Sequence, residues 1–374
     1  MNSSEEEDYE YDYDKTVSII PLEELVPVSI VYSITLFLGV TGNSLVIFCI
    51  LRYNRMRSIT NILLLSLASA DLLLVVICVP IKGVAFFSFT WTMGEVLCKA
   101  VHYLQNVSML CSVFTLTVIS IERYIAIRHP LKAKYICTLV HARLVIMGVW
   151  ILSFIGSLPV LFGQRHIEVG MRRKGYYCLR EWQKPFFEKI YELYMLTVML
   201  IIPSFVMTIA YLGICFEMWN VSYRRADMRS GRFLRKVVKM LVVVVLLFII
   251  CWAPILINNV MIGFDYLPRL HYGYLKPMRM AFNLMAYFNS CINPIVYSFM
   301  SKNFREKFKH SFRTLFRGRF TGADRIWTQR GTVSFTTRST SLNRSKMYSM
   351  KEPVEKDVSI SSVTENCKIV LVPD

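Results

Sequence analysis

The chain has 374 residues, of which 54% are hydrophobic and only 18% charged, with a formal net charge of +17. That is too apolar for an ordinary soluble globular chain of this length. The apolar residues are gathered into long runs, each near the ~20 residues a helix needs to cross a hydrocarbon core, so the composition excludes a soluble protein and points to an all-α membrane protein.

In chain order, the first segment is an acidic leader in which Tyr9, Tyr11 and Tyr13 alternate with Glu and Asp. It is too polar to bury a core and reads as disordered. Two readings stay open for it: a solvated acidic tail, or a substrate for tyrosine sulfation. Asn2-Ser3-Ser4 is a glycosylation sequon. Uncharged runs follow over Val26 to Leu51, Ala100 to Ile121, Leu144 to Gln164, Leu193 to Phe216, Met240 to Gly263 and Met280 to Ser301, and a further run, Ile59 to Ile81, holds the single charge of Asp71. Core helices of a soluble protein give one or two such runs; seven with short polar connectors predict a seven-transmembrane helix bundle. The first is too long for a signal-peptide core and is expected to insert as a retained signal anchor.

Within these spans the polar residues are the informative ones, because ionisable groups at mid-membrane are costly. Asp71 lies halfway along its span, with Asn43, Ser112, Asn289 and Asn293 at similar depths in others. A carboxylate among neutral oxygens, with no Lys or Arg at that depth, suits a sodium ion or a proton; a protonated aspartate in a structural hydrogen-bond network is the alternative. Glu122-Arg123-Tyr124 puts an acid beside a base at the end of the third span, either as a working pair or as a simple interfacial anchor. Pro203, Pro254 and Pro294 each interrupt a span, which suggests a moving part, although transporters share that feature. Of the ten cysteines, only Cys98 and Cys178 fall on the outer face, where an oxidising environment makes a disulfide the natural reading. That outer face is assigned by counting Lys and Arg: 22 lie in the loops after the odd-numbered spans, up to Arg319, against 13 on the other side. The N-terminus is therefore expected outside.

Together these residues resemble the rhodopsin-like G-protein-coupled receptors from Thr41 to Phe308. The motifs that carry the resemblance are Thr41-Gly42-Asn43, Leu67-Ala68-Ser69-Ala70-Asp71-Leu72, Trp91, Cys98, Glu122-Arg123-Tyr124, Trp150, Pro203 with Tyr211, Cys251-Trp252-Ala253-Pro254 and Asn293-Pro294-Ile295-Val296-Tyr297. The resemblance implies that Glu122 holds Arg123 at rest, and that Arg123 meets a heterotrimeric G protein and Tyr211 when the sixth helix swings about Pro254. It implies that Trp252 senses the ligand above Phe248, that Tyr297 belongs to the activation machinery, and that Asp71, Ser112, Asn289 and Asn293 hold an allosteric sodium ion. No other cofactor is expected. Phe304 and Phe308 would pack a short amphipathic helix on the inner leaflet, although no cysteine follows it until Cys367 to carry the usual palmitoyl anchor. The expected organisation is residues 1–25 extracellular and disordered, 26–301 the receptor domain, 302–318 the membrane-surface helix and 319–374 a Ser/Thr-rich cytoplasmic tail. Arrestin, receptor kinases and lipid are the further partners implied, and nucleic acid is not one. The expected location is the plasma membrane.

The resemblance also bears on ligand class. Amine receptors carry an aspartate where this chain has Gln105, and opsins a lysine where it has Tyr287, so an amine ligand lacks its counter-ion and light reception is excluded. Gln105 with Asn259 is similar to the orexin, neuropeptide Y, neuropeptide FF and QRFP (RFamide) receptors, and Tyr177 to Trp182 with Lys189-Ile190-Tyr191 is most similar to the QRFP and orexin members. An amidated RFamide-like neuropeptide is the expected ligand, with Gln105, Asn259, Asn283, Trp252 and the acids Glu181 and Glu192 as its contacts. Lys82 and the cluster Arg172-Arg173-Lys174 are awkward for a basic peptide and leave an acidic or sulfated, cholecystokinin-like peptide open. A transporter is the alternative from another class, though no internal repeat is visible. No zinc-ligand spacing, nucleophile elbow or phosphate loop is present, so an enzyme is not expected.

Overall fold

A computed structural model describes residues 22–88, 90–169, 175–224, 228–268, 275–300 and 305–310, all within one compact unit, Met1–Thr328. The leader with Asn2, Tyr9, Tyr11 and Tyr13, the cluster Arg172-Arg173-Lys174, Phe304, and the tail with Cys367 lie outside the described residues.

Seven long helices account for all seven apolar runs. They are α1 (Leu22–Arg52), α2 (Ile59–Ser88), α3 (Gly94–Arg128), α4 (Leu139–Gly163), α5 (Pro185–Leu196 continuing through Ile202–Arg224), α6 (Met228–Gly263) and α7 (Leu275–Met300). Helix starts follow local chemistry: Ser58 and Thr138 accept from the backbone N–H of Asn61 and His141, each at 3.3 Å, and so cap α2 and α4. The hydropathy of α1 to α6 suits a membrane span in each case. At 26 residues, α7 is long enough at about 39 Å, but it is diluted by Asn283, Asn289, Ser290 and Asn293, which its neighbours bury or half-bury.

Helix α3 packs against α2, α4 and α5, while α1 meets both α2 and α7, and α6 packs on α5 and α7. The bundle is inverted relative to a soluble protein. Phe37, Leu152, Ile155, Phe205, Leu212 and Ile250 are exposed at mid-helix, whereas Asn43, Asp71, Ser108, Ser112, Asn289 and Asn293 are buried. With lipid outside, helix contacts come from close packing and interhelical hydrogen bonds. Ser108 Oγ donates to Ala70 O at 2.7 Å, Trp150 Nε1 to Ser66 Oγ at 3.1 Å and Asn43 Nδ2 to Ser290 O at 2.9 Å. Gly213 of α5 shows how close the packing is: a Cβ there would lie 2.5 Å from the Tyr124 ring.

The helices differ from the sequence expectation at their ends and at their prolines. The N-terminal turns of α5 and α7 reach past the apolar runs to include Glu188, Glu192 and Arg279. Pro80 and Pro203 each follow a π-helical turn, Leu74–Cys78 and Thr197–Ile201. Proline clashes with the carbonyl four residues earlier, and the wider turn takes up that clash. Pro254 and Pro294 sit inside continuous helices. The α4–α5 connector also contains an antiparallel hairpin, β1 (Gln164–Val169) with β2 (Gly175–Arg180), in which His166 faces Cys178. Gln164, expected at the end of a span, opens β1 instead.

Candidate functional site

The hairpin is fixed over one end of the bundle by three links. The Cys98–Cys178 disulfide joins the start of α3 to β2 across a Cα separation of 5.7 Å. Trp91 N donates to Tyr176 O at 2.6 Å, and Glu181 N to Gly163 O at 2.8 Å. Beyond the disulfide, β2 carries Arg180 inward, where its guanidinium pairs with Glu192 of α5 and lies 5.2 Å from the centre of the Tyr191 ring. Burial works against the charge of Arg180, but the Glu192 carboxylate outweighs it and holds the guanidinium above its ordinary pKa.

Below the hairpin is a cavity of about 310 Å³, at the small end of the range for ligand sites. Four expected ligand residues, Gln105, Asn259, Asn283 and Glu192, line it, with Trp252 as a further wall. Gln105 Oε1 is buried without a hydrogen-bond partner, which leaves an acceptor available to a ligand. Glu181 is exposed and is not among the lining residues, so the structure does not bring it to the cavity. Its place is taken by groups that sequence reasoning did not weigh as ligand contacts: Arg180, Arg279 and His102. Two signals were available. Arg180 is two residues beyond the tethered Cys178, and Arg279 precedes Asn283 by four residues, which puts them on one helix face.

From Trp252 the packing continues downward to Phe248, with ring centres 6.5 Å apart. Asp71 lies at mid-bundle, fully buried, accepting from Ser112 Oγ at 3.3 Å and from Asn293 Nδ2 at 2.9 Å. Asn289 is buried on the same helix as Asn293. No Lys or Arg pairs with Asp71 among the described residues, and the hard oxygen ligands this arrangement offers a small cation are the Asp71 carboxylate and the Ser112 hydroxyl.

At the opposite end, Arg123 Nε is 3.0 Å from Glu122 Oε2, an ion pair whose N–H is not aligned as a hydrogen bond. Thr60 Oγ1 donates to the same carboxylate oxygen at 3.1 Å. Tyr211 Oη is 2.7 Å from Ser120 Oγ, which ties α5 to α3 one turn before Arg123. Arg128 and Glu217 form an ion pair between α3 and α5. Tyr297 is buried on α7, and Pro254 is half-buried on α6. Beyond α7, residues 305–310 are helical, and Phe308 packs against the core. Lys307 Nζ lies 4.7 Å from the Tyr53 ring centre.

Comparison with known proteins agrees with this architecture. Residues 42–297 match the family described as 7 transmembrane receptor (rhodopsin family). A QRFP-like peptide receptor of Branchiostoma floridae is 34% identical over 298 residues, covering 76% of this chain and 77% of that protein. The cholecystokinin receptor of Xenopus laevis is 31% identical, covering 76% of each chain. The pyroglutamylated RF-amide peptide receptor of Mus musculus is 31% identical, covering 75% of this chain and 67% of its own. The helix bundle, the tethered hairpin and the family match lead to one conclusion: the chain belongs to the rhodopsin family of seven-transmembrane receptors, and is a receptor rather than an enzyme.

Proposed function

We propose that this chain is a plasma-membrane receptor, N-terminus outside, that binds an extracellular peptide beneath the hairpin and activates a heterotrimeric G protein at the Glu122–Arg123 end. The observation that carries the reading is the polar cavity, closed on one side by Trp252 and roofed by a disulfide-tethered hairpin. Trp252 and Phe248 offer a packed route from the cavity toward the middle of α6. The excess of Lys and Arg in the loops after α1, α3, α5 and α7 supports the orientation. The relatives named for peptides support the ligand class.

The finer reading is an amidated, RFamide-like peptide. Three amide side chains, Gln105, Asn259 and Asn283, share the cavity, and amides donate and accept at once, which suits a peptide's amide end. A second reading, an acidic or sulfated peptide, is favoured by Lys82 and Arg279 in the same cavity. Sodium at Asp71 acts as an allosteric modulator that favours the resting state. Arrestin and receptor kinases engage the Ser/Thr-rich tail, and the helical residues 305–310 lie on lipid.

A panel of amidated, free-acid and sulfated neuropeptides applied to cells expressing the receptor, read by calcium and cyclic AMP, tests the proposal. At least one peptide should evoke a response that untransfected cells lack. Silence across the panel at confirmed surface expression would count against a peptide ligand.

A further inference from the structure

Lys82 shares the cavity lining with Arg180, Arg279 and one carboxylate, Glu192, and that carboxylate is already paired with Arg180. Glu188, the other buried acid nearby, lies on the α5 side against Gly263 and acts on Arg180 from outside the lining. Lys82 is on a different wall, on α2, and feels the like charges of Arg180 and Arg279. No carboxylate pairs with it among the described residues. Its Nζ instead contacts His102 Nε2, while His102 Nδ1 lies 2.8 Å from Cys98 O. That pair of contacts fixes the tautomer. A carbonyl can only accept, so Nδ1 carries the proton, and Nε2 offers its lone pair to the ammonium. His102 is then a neutral group that orients Lys82 and cannot serve as its counter-ion.

A half-buried ammonium held by an imidazole, facing a cavity and with no carboxylate paired to it among the described residues, is costly until a ligand supplies an anion. We infer that the side of the cavity formed by Lys82 and Arg279, with Lys82 oriented by His102, is an anion subsite that takes a carboxylate or sulfate group of the ligand. The inference rests on reading the cavity as the ligand site. It adds a requirement that the amide side chains do not impose: the ligand carries a negative group that reaches α2 and α7. An amidated peptide meets it through an acidic side chain, and a sulfated peptide through its sulfate ester.

The test uses the full-length receptor purified in detergent, its melting temperature, and three small probes. N-acetyl-phenylalanine supplies a carboxylate, N-acetyl-tyrosine-O-sulfate methyl ester a sulfate, and N-acetyl-phenylalanine methyl ester is the neutral control; none carries the primary amide that Gln105, Asn259 and Asn283 would take. At least one anion should stabilise the receptor where the neutral ester does not, and the two anionic arms identify which group the subsite prefers. Lys82→Gln should raise the concentration needed for that stabilisation at least about tenfold, as expected for losing a charge-assisted hydrogen bond. Lys82→Arg should retain it. The inference is overturned if the neutral ester stabilises the wild type as well as both anions do, a comparison that needs no variant to fold. It is also overturned if Lys82→Gln leaves the anion effect intact. The two proposals fail separately: peptide-evoked signalling with no anion stabilisation removes the subsite alone, and anion stabilisation in a receptor that no peptide drives removes the peptide reading alone.

Discussion

Single residues decide what the cavity and the mid-membrane site can bind. Gln105 presents a buried acceptor to the cavity, so Gln105→Ala should leave polar groups of an amidated peptide unpaired, at a cost of about 1–3 kcal/mol or roughly tenfold to a hundredfold in potency. The free-acid form of the same peptide should already be weak on the wild type and lose little more on the variant; equal losses for both forms would remove Gln105 from the ligand site. At Asp71 the prediction concerns sodium. Asp71→Asn keeps the shape but removes the charge beside Ser112 and Asn293, so agonist affinity should stop responding to sodium in radioligand competition, and persistent sensitivity would put the cation elsewhere. Residue type made Asp71 and Cys98 legible in the sequence, because one is an expensive and the other a reactive group at a known depth, whereas Gln105 was legible through the family resemblance. Partners were less legible. Nothing in the order of residues shows that Arg180 engages Glu192, or that Lys82 rests on His102, since both pairs arise from how separate elements meet.

At the scale of elements, span number and order follow from the length of the apolar runs, which the bilayer imposes on any spanning helix. Element ends do not follow from it. The first turns of α5 and α7 carry Glu188, Glu192 and Arg279 because they face protein and cavity, and an apolarity criterion stops short of them. The hairpin was missed because its strands are short and polar, and their pairing is set by the disulfide and by the ends of α3 and α4 they rest on. That tether has a direct consequence. Cys98→Ala or Cys178→Ala frees β2 from α3 and withdraws Arg180 from Glu192, so ligand binding should be abolished in either variant, measured by saturation binding at matched surface expression. Normal affinity would mean that the hairpin is positioned by its hydrogen bonds to Trp91 and Gly163 alone.

The whole molecule has a polar cavity at one end and the Glu122–Arg123 pair at the other. Glu122 lies close to Arg123 without a well-aligned hydrogen bond, and Ser120 meets Tyr211. Pro254 lies two residues from Trp252 on the same helix, which puts the point where α6 bends most easily beside the cavity wall. If a peptide in the cavity drives nucleotide exchange through Arg123, reconstitution of the receptor in lipid nanodiscs with a purified heterotrimeric G protein should show it as guanine-nucleotide exchange measured with and without an active peptide. Peptide should accelerate exchange on the wild type, and Arg123→Gln should still bind the peptide but lose the acceleration. Peptide-stimulated exchange of equal rate in that variant, or binding with no stimulation of the wild type by any G protein tried, would contradict it.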